Sequence, residues 1–582
     1  AAFDHRDIFI DPSPDPAKSF AERKRMFALP RSSWADYDKK AVSKGGGVFS
    51  RSAKSIPLTP EIKTALDIKG DKATPAELMR AILLADAELM WLGGIGTFVK
   101  ATSEDNARVG DKANEAVRVN ATELRVKVLG EGANLGFTQA ARVEFARSGG
   151  RLNTDAIDNS AGVDSSDHEV NIKILLSGAI EHGELKAADR NALLASMTED
   201  VGAHVLRHNY DQTRAISMME ATAADDFDAY ARLMDAFEHS GRLDRVVEGL
   251  PAKDAVAMLR TRGLGLTRPD LSVLLAYSKM WLFEELVSSK APDDPLLEHE
   301  LFNYFPEPLH KFKDALVRHR LRREIIATRL ANEIVDTCGA AYPYQVVELT
   351  GAAPHEVAIA YEAARRILKL GQYAEAVDAL DNKIPAGVQT ALYNSAVSVI
   401  REQLYRIVSD TSAMTLLEKR GLKGLLDQYE KPVSELKSAL ASILPKQAAT
   451  ALKARAAAWR KDGAPDGLAQ EAALFPALER AFDVINLARD TGWPAPAAGA
   501  VFFAVGREFD IDVAREQAKA APPHEHFDRL AAQRLVEDLS QRQSALAKSV
   551  IASAGKAPKT ADSAFLDATL ANWRSAGGAA IS

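Results

Sequence analysis

The stretch LRVKVLGEG, residues 124–132, decides how the first part of the chain is expected to fold. Its apolar run is typical of a β-strand, and the glycine pair at its end permits a tight turn. An earlier run, LMWL at residues 89–92, leads in the same way into GGIG at residues 93–96. Residues 109–124 lie between the two and are predicted to form a helix. Strand, glycine turn, helix and strand in this order indicate a parallel α/β sheet.

Long amphipathic helices are predicted from about Val170 onward. In one of them, Thr267 is expected to be the N-cap, and Asp270 suits the acid-favouring first turn. The apolar positions of this helix fall on one broad stripe, formed by Leu271, Leu274, Leu275, Trp281, Leu282 and Leu286. The sequence thus predicts two domains, an α/β part at residues 1–170 and an all-α part at residues 171–582.

Size and composition exclude several classes of protein. A chain of 582 residues is too long for a single core, so at least two domains are expected. A net charge of −7 argues against nucleic-acid binding. No apolar run approaches the roughly 20 residues that span a membrane. The first residues, AAFDH, begin inside an expected strand without a methionine, so a truncated or processed polypeptide is expected.

Cys338 is the single cysteine of the chain. One thiol forms neither an internal disulfide nor a cysteine-rich metal site, so a reducing cytoplasm is the expected compartment. The residue continues an apolar helical pattern that Gly339 ends. Cys338 is therefore interpreted as a small buried hydrophobe rather than a reactive thiol.

Asp4 ends the apolar strand with which the chain opens. In a Rossmann-like dinucleotide-binding fold, an acid at the end of the second strand accepts hydrogen bonds from the adenosine ribose. The alternative is an aspartate that starts a turn. The fingerprint G-x-G-x-x-G usually precedes such an acid by about 20 residues, and the chain begins too close to Asp4 to contain it.

Two polar segments offer further candidate residues. The spacing G-x-G-x-x-x-G at residues 130–136 suggests that the backbone closely approaches another group, with Asn134 offering an amide; an ordinary tight turn is the alternative. Residues 158–169 precede an apolar helix predicted at residues 170–180. Serine hydroxyls at a helix N-terminus suit a substrate carboxylate. The alternative is capping, with Ser166 as N-cap and Glu169 as its capping-box partner.

The histidines give no prediction of a metal site. His204 and His208 are four residues apart, as in a helical metal-binding pair, but no third ligand is evident near them in the sequence. His524 and His526 flank Glu525 after two prolines, where a solvated loop is expected.

Four sequence blocks together resemble the large bacterial NAD-dependent glutamate dehydrogenases. The blocks are KGGGVFSRSAK at residues 44–54, GGIGTFVKA at 93–101, GEGANLGFTQ at 130–139 and TRPDLS at 267–272. The EGAN within the third block is also similar to the smaller hexameric glutamate dehydrogenases. So are residues 159–169, which match their N-A-G-G-V-x-x-S-x-x-E motif except at Ser160 and Ala161.

The resemblance implies a site for the cofactor NAD. Its expected contacts share the α/β part of the chain: Asp4, Gly93, Gly94, Ile95, Asn134 and Asn159. Asn134 and Asn159 are expected at the nicotinamide half and Asp4 at the ribose. An acid at Asp4 would repel the 2′-phosphate of NADP, which favours NAD. Ser166 is expected to bind the side-chain carboxylate of glutamate.

The resemblance also implies a reaction, the oxidative deamination of L-glutamate to 2-oxoglutarate and ammonia. The family's catalytic lysine and aspartate match nothing here, so no catalytic residue is predicted in this chain, and the chain alone is expected to be inactive. The nucleotide-binding domain is expected to be an incomplete Rossmann-like fold, and the parent enzyme to be a homo-oligomer. Two alternatives stay open, a non-catalytic helical assembly segment and a dehydrogenase of another amino acid.

Overall fold

The computed structural model describes residues 1–520, 526–558 and 563–577. The chain divides into two compact units. The first comprises residues 1–216 and 236–276, and the second comprises residues 217–235 and the chain from residue 277 onward. The loop predicted around His524 and Glu525 lies outside the described residues.

Short strands occur only in the first part of the described chain. They are β1 Ala2–Phe3, β2 Asp7–Ile10, β3 Gly47–Ser50, β4 Ile56–Pro57, β5 Lys72–Ala73, β6 Leu89–Leu92, β7 Val99–Lys100, β8 Val119–Asn120 and β9 Val128–Glu131. Strands β1, β2 and β3 form an antiparallel sheet, and β4 pairs antiparallel with β5. Strands β6 and β9 pair in parallel, as do β7 and β8.

The prediction of parallel strands is confirmed for the pair that the sequence singled out, β6 and β9. It is wrong for β1 to β5, which form antiparallel hairpins and ladders. The helix predicted at residues 109–124 is also wrong, because this segment holds short 3-10 turns and strand β8. Gly110 has a φ of 79° and ends the preceding helix, and Asn120 and Glu123 form a capping box that closes a local turn.

The helices of the first 288 residues follow or separate these strands. They are α1 Pro16–Phe27, α2 Pro60–Leu66, α3 Pro75–Leu83, α4 Asn106–Val109, α5 Gln139–Arg147, α6 Asp155–Asp158, α7 Ser160–Glu181, α8 Arg190–Ser196, α9 Thr198–Ala221, α10 Phe227–His239, α11 Arg245–Glu248, α12 Lys253–Thr261 and α13 Arg268–Ser288. A buried apolar cluster beneath the parallel strands fixes their position, formed by Leu92, Val99, Val119, Leu129, Phe137, Ala141 and Phe145.

The rest of the described chain is helical, as predicted. Its helices are α14 Glu298–Tyr304, α15 Lys313–Val317, α16 Arg322–Cys338, α17 Tyr342–Thr350, α18 Pro354–Leu368, α19 Gly371–Asp378, α20 Ala386–Ser409, α21 Thr411–Ile443, α22 Lys446–Lys461, α23 Asp466–Leu478, α24 Ala481–Thr491, α25 Ala495–Glu508, α26 Ile511–Ala520, α27 His526–Ala554 and α28 Ser563–Ser575. Helix α18 packs against α20 and α21. None of the described helices combines the length and hydropathy that crossing a bilayer requires.

Helix α13 was predicted correctly from local sequence signals. The helix begins directly after Thr267, whose backbone N–H and hydroxyl both donate to Asp270 Oδ2, at 2.9 and 2.7 Å. The predicted apolar stripe is buried along its whole length. The interpretation of Cys338 is confirmed as well, because its side chain is fully buried and burial raises the pKa of the thiol to about 12.

Candidate functional site

The two glycine-rich loops meet at one edge of the parallel strands. Trp91 of β6 is in register with Gly130 of β9, and Leu92 with Glu131. Because the strands are parallel, the loops at residues 93–96 and 132–136 leave the pair at the same end. Ligands of open parallel sheets bind beyond this carboxyl edge. The edge therefore brings together candidate residues that lie about 40 positions apart in the sequence.

The loop at residues 93–96 is open to its surroundings. Gly93, Gly94 and Ile95 are all exposed, and Ile95 has 88% of its side-chain surface accessible. A Cβ atom added to Gly94 would meet no other atom within 4 Å. A ligand can thus approach the backbone of this loop without displacing a side chain.

The glycines at the end of β9 are required by a tryptophan of the neighbouring strand. The indole of Trp91 lies flat against Gly130 and Gly132, where a Cβ atom on either glycine would overlap the ring. The close backbone approach predicted for this segment is confirmed, and the approaching group is Trp91. The indole remains 61% exposed on its other side.

Asn134 and Asn159 lie side by side. Asn159 Nδ2 donates a hydrogen bond of 3.1 Å to Asn134 Oδ1. Asn134 belongs to the loop after β9, and Asn159 directly precedes helix α7. Gly162 leaves room for the Asn159 amide, because a Cβ atom at this position would lie 2.9 Å from Asn159 Oδ1. This hydrogen bond uses neither the amide nitrogen of Asn134 nor the amide oxygen of Asn159.

A buried ion network holds the loop after β9 in place. Arg142 of α5 binds the Glu131 carboxylate at 2.7 and 3.0 Å and Asp155 at 3.1 Å. Asp155 in turn accepts a hydrogen bond of 2.8 Å from the backbone N–H of Leu135, and Asp158 accepts one of 2.9 Å from Glu131. Sequence reasoning missed this network, although Asp158 stands at the start of the polar segment that was singled out.

Ser166 lies in the second turn of α7. Its interpretation as a helix N-cap is wrong, because α7 begins at Ser160 and Glu169 pairs with Lys173. The helix starts ten residues earlier than predicted because Asn209 of α9 holds its first turn. The Asn209 amide donates to the Ser160 hydroxyl at 2.9 Å and to the carbonyl of Ile157 in α6 at 2.7 Å.

Asn159 and Ser166 occupy the same side of α7. Seven residues correspond to nearly two full helical turns, so the two positions share one face and are about 10 Å apart along the axis. Ser166 is exposed, as are Gly162 and Val163 between them. This exposed face begins at the asparagine pair and extends away from it.

Asp4 stands in the tight turn between β1 and β2. Its Oδ1 accepts hydrogen bonds from the backbone N–H groups of Arg6 and Asp7, at 2.7 and 2.8 Å. The alternative interpretation, an aspartate that starts a turn, therefore describes its local role. The preceding Phe3 packs edge to face on Phe98, with ring centroids 5.7 Å apart. This contact places Asp4 close to the segment that follows the loop at residues 93–96.

Two family models of glutamate dehydrogenases match this chain. Residues 263–582, more than half of the chain, match the family model described as glutamate dehydrogenase, C-terminal. Residues 1–219 match the model described as bacterial NAD-glutamate dehydrogenase, catalytic domain. The chain belongs to the bacterial NAD-glutamate dehydrogenase family, which confirms the resemblance seen in the sequence.

Three curated relatives are similar over nearly the whole chain, and each is named NAD-specific glutamate dehydrogenase. The protein from Pseudomonas aeruginosa is 42% identical over 95% of this chain and 34% of its own length. The one from Halomonas elongata is 38% identical over 94% of this chain and 34% of its own length. The one from Mycobacterium tuberculosis is 37% identical over 93% of this chain and 33% of its own length. The chain thus spans about a third of the length of these relatives.

Proposed function

We propose that this chain is part of an NAD-dependent glutamate dehydrogenase, in which it supplies the nicotinamide and substrate-carboxylate contacts. The hydrogen bond between Asn134 and Asn159 carries this proposal. It sets two amides beside each other at the carboxyl edge of a parallel strand pair, and their remaining donor and acceptor complement a carboxamide. We assign residues 1–170 to an incomplete Rossmann-like nucleotide-binding domain.

The reaction converts L-glutamate, water and NAD⁺ into 2-oxoglutarate, ammonium and NADH with release of a proton. When bound, NAD⁺ accepts the hydride that leaves the α-carbon of glutamate. Asn134 and Asn159 would orient the carboxamide and so fix which face of the ring meets the substrate. The loop of Gly93, Gly94 and Ile95 would contact the cofactor through its backbone.

Ser166 would donate a hydrogen bond from its hydroxyl to the side-chain carboxylate of glutamate. Its position on the same face of α7 as Asn159 supports this role. The separation of about 10 Å along the helix leaves room for a five-carbon substrate between carboxylate and nicotinamide contacts. Asp4 would accept hydrogen bonds from the ribose through the carboxylate that also caps its turn.

Two features of the parent enzyme extend the proposal. The lysine and aspartate that move protons are expected outside this chain, so the isolated 582-residue chain is expected not to turn over glutamate. The parent enzyme is proposed to be a homo-oligomer that acts in the cytoplasm. Light scattering of the purified parent enzyme checks its assembly.

The test of the cofactor contacts uses the complete enzyme that carries this chain. Asn159→Ala and Asn134→Ala are each expected to raise the KM for NAD about fivefold, since one hydrogen bond contributes about 1 kcal/mol. Asn191→Ala is the matched control, because Asn191 is exposed on the separate helix α8. Unchanged kinetics in both site variants would refute the assignment.

The test of the substrate contact uses the same enzyme and two amino acids. A hydrogen bond to a charged group contributes about 1.5–3 kcal/mol. Ser166→Ala is therefore expected to reduce the preference for glutamate over leucine by about 10- to 100-fold. A variant that keeps the full preference would show that another residue reads the carboxylate.

A further inference from the structure

Three histidines and one aspartate meet between helices α7 and α9 of the first unit. Asp164 and His168 lie one turn apart on α7, and His204 and His208 lie one turn apart on α9. The sequence suggested no third ligand near the histidine pair of α9. In the structure, helix packing rather than sequence spacing brings the residues of α7 to this pair.

The distances within this cluster suit a single ion. His208 Nδ1 lies 2.7 Å from Asp164 Oδ2, and His168 Nε2 lies 3.6 Å from Asp164 Oδ1. One ligand atom from each of these three residues lies within 4.8 Å of the others. Four ligand atoms at the usual zinc bond lengths are about 3.3 Å from one another. Small side-chain rotations would therefore bring the three atoms onto one zinc ion.

The ring of His204 lies beside the ring of His168. Its ring meets the ring of His168 edge to face, with centroids 5.8 Å apart, and His168 also stacks on His208 at 5.7 Å. Completion of the set would require the His204 side chain to rotate toward the other three ligands. Three imidazoles and one carboxylate make a four-coordinate ligand set that zinc accepts.

The cluster is buried on one side and accessible to solvent on the other. His168 has no solvent-accessible side-chain surface, whereas Asp164 and His208 keep 25% and 29% of theirs. An ion could reach the site from solvent without opening the helix pair.

A second group of ionisable side chains in the described chain differs from this cluster, because its carboxylates already pair with arginines. His299, Glu300 and Glu362 also lie within ligand distance of one another. The carboxylates of that second group are already bound by three guanidinium groups, those of Arg329, Arg365 and Arg366. A cation there would have to displace them, so that group carries no metal proposal.

We propose that Asp164, His168 and His208, completed by His204, bind one zinc ion that joins α7 to α9. Ser166 lies between Asp164 and His168 in sequence but on the opposite, exposed face of the helix. The ion would therefore stay away from substrate and act structurally. Its effect would be to fix the orientation of the helix that presents the substrate contact.

The experiment uses the tag-free chain, freed of metal by a chelator and titrated with Co²⁺ and then Zn²⁺. One equivalent of Co²⁺ is expected to give the visible absorption of a four-coordinate site, which Zn²⁺ then removes. Zn²⁺ is expected to raise the thermal unfolding temperature of this unit, since it binds the folded form preferentially. His208→Gln and Asp164→Asn are expected to weaken Zn²⁺ binding by at least tenfold.

Two controls decide the outcome. His182→Gln alters an exposed histidine directly after the same helix and is expected to bind Zn²⁺ like the unaltered chain. Circular dichroism reports whether each variant folds. If His208→Gln does not fold, the milder Asp164→Asn tests Zn²⁺ binding in its place. Absence of a one-to-one complex, or equal loss of binding in His182→Gln, would overturn the proposal.

Discussion

Replacement of Arg142 by methionine tests whether the ion network positions the loop after β9. The Arg142 and Glu131 side chains are only 6% and 1% exposed, and they share two hydrogen bonds of 2.7 and 3.0 Å. Methionine keeps most of the volume but leaves the Glu131 carboxylate buried without its counter-ion. Removing one partner of a buried pair costs about 3–5 kcal/mol.

The measurement is hydrogen exchange of peptides that cover residues 128–145. If local opening controls exchange, a loss of about 3–5 kcal/mol speeds it by a hundredfold to a few thousandfold. Lys127→Met is the control, because Lys127 and Glu88 form an exposed pair and such pairs contribute little. Exchange in this control is expected to change less than about fivefold.

The double variant Glu131→Gln, Arg142→Met separates charge from packing. Glutamine removes the stranded charge and still accepts the hydrogen bond that Phe137 N–H donates to Glu131 Oε1 at 3.0 Å. Most of the lost protection should therefore return. Low pH should also restore part of it in the single variant, because burial without Arg142 would raise the pKa of Glu131 and protonation relieves the cost. Exchange in the single variant within fivefold of the unaltered chain would refute the reasoning.

Three further predictions concern packing, the thiol and acid stability. Gly132→Ala should displace the Trp91 indole and destabilise the strand pair by about 1–3 kcal/mol, seen as a shift in tryptophan emission. Cys338 should react with a thiol reagent at pH 8 only after denaturant opens the second unit, because burial raises its pKa to about 12; fast reaction of the native chain would contradict its burial. Burial opposes the ionisation of Glu300, but its hydrogen bond with His299 and a neighbouring arginine lower its pKa to about 2. The ionised Glu300 carboxylate should thus stabilise the folded chain at pH values above its unfolded pKa of about 4.3. This stabilisation should be lost as the pH falls toward 2. The acid-unfolding curve of Glu300→Gln should lack this loss.

Local sequence signals were enough to predict the parallel strand pair and helix α13. In both, the signals are the spacing of apolar residues and the turn or capping residues at the ends of the element. Each of these signals involves residues fewer than ten positions apart in the sequence. The antiparallel sheet of β1 to β3 could not be predicted in this way. Its third strand begins at Gly47, far from Ile10, its partner in the ladder, and only packing selects that partner.

The start of helix α7 was missed for a similar reason. Its first turns hold Gly162 and several polar residues, whose local preference is for a turn. Hydrogen bonds from Asn209 to Ser160 and Ile157 override that preference. The same contact between α7 and α9 creates the histidine cluster, which the sequence spacing alone does not indicate.

The candidate cofactor residues depended on family resemblance rather than on spacing. Nothing in the sequence alone indicates that the side chains of Asn134 and Asn159 touch, because a separation of 25 residues corresponds to no period of helix or strand. The structure adds the contact and the ion network that supports it. The role of Asp4 at the ribose of NAD and the role of Ser166 at the side-chain carboxylate of glutamate remain predictions.

The stacking of Trp91 on two glycines has an optical consequence. An indole that is held flat on one side and open to water on the other emits where reduced nicotinamide absorbs. Because this indole adjoins the loops proposed to meet the nicotinamide, it would be an energy-transfer donor to the reduced cofactor bound there. Quenching of the Trp91 emission would then report the appearance of reduced nicotinamide at this edge.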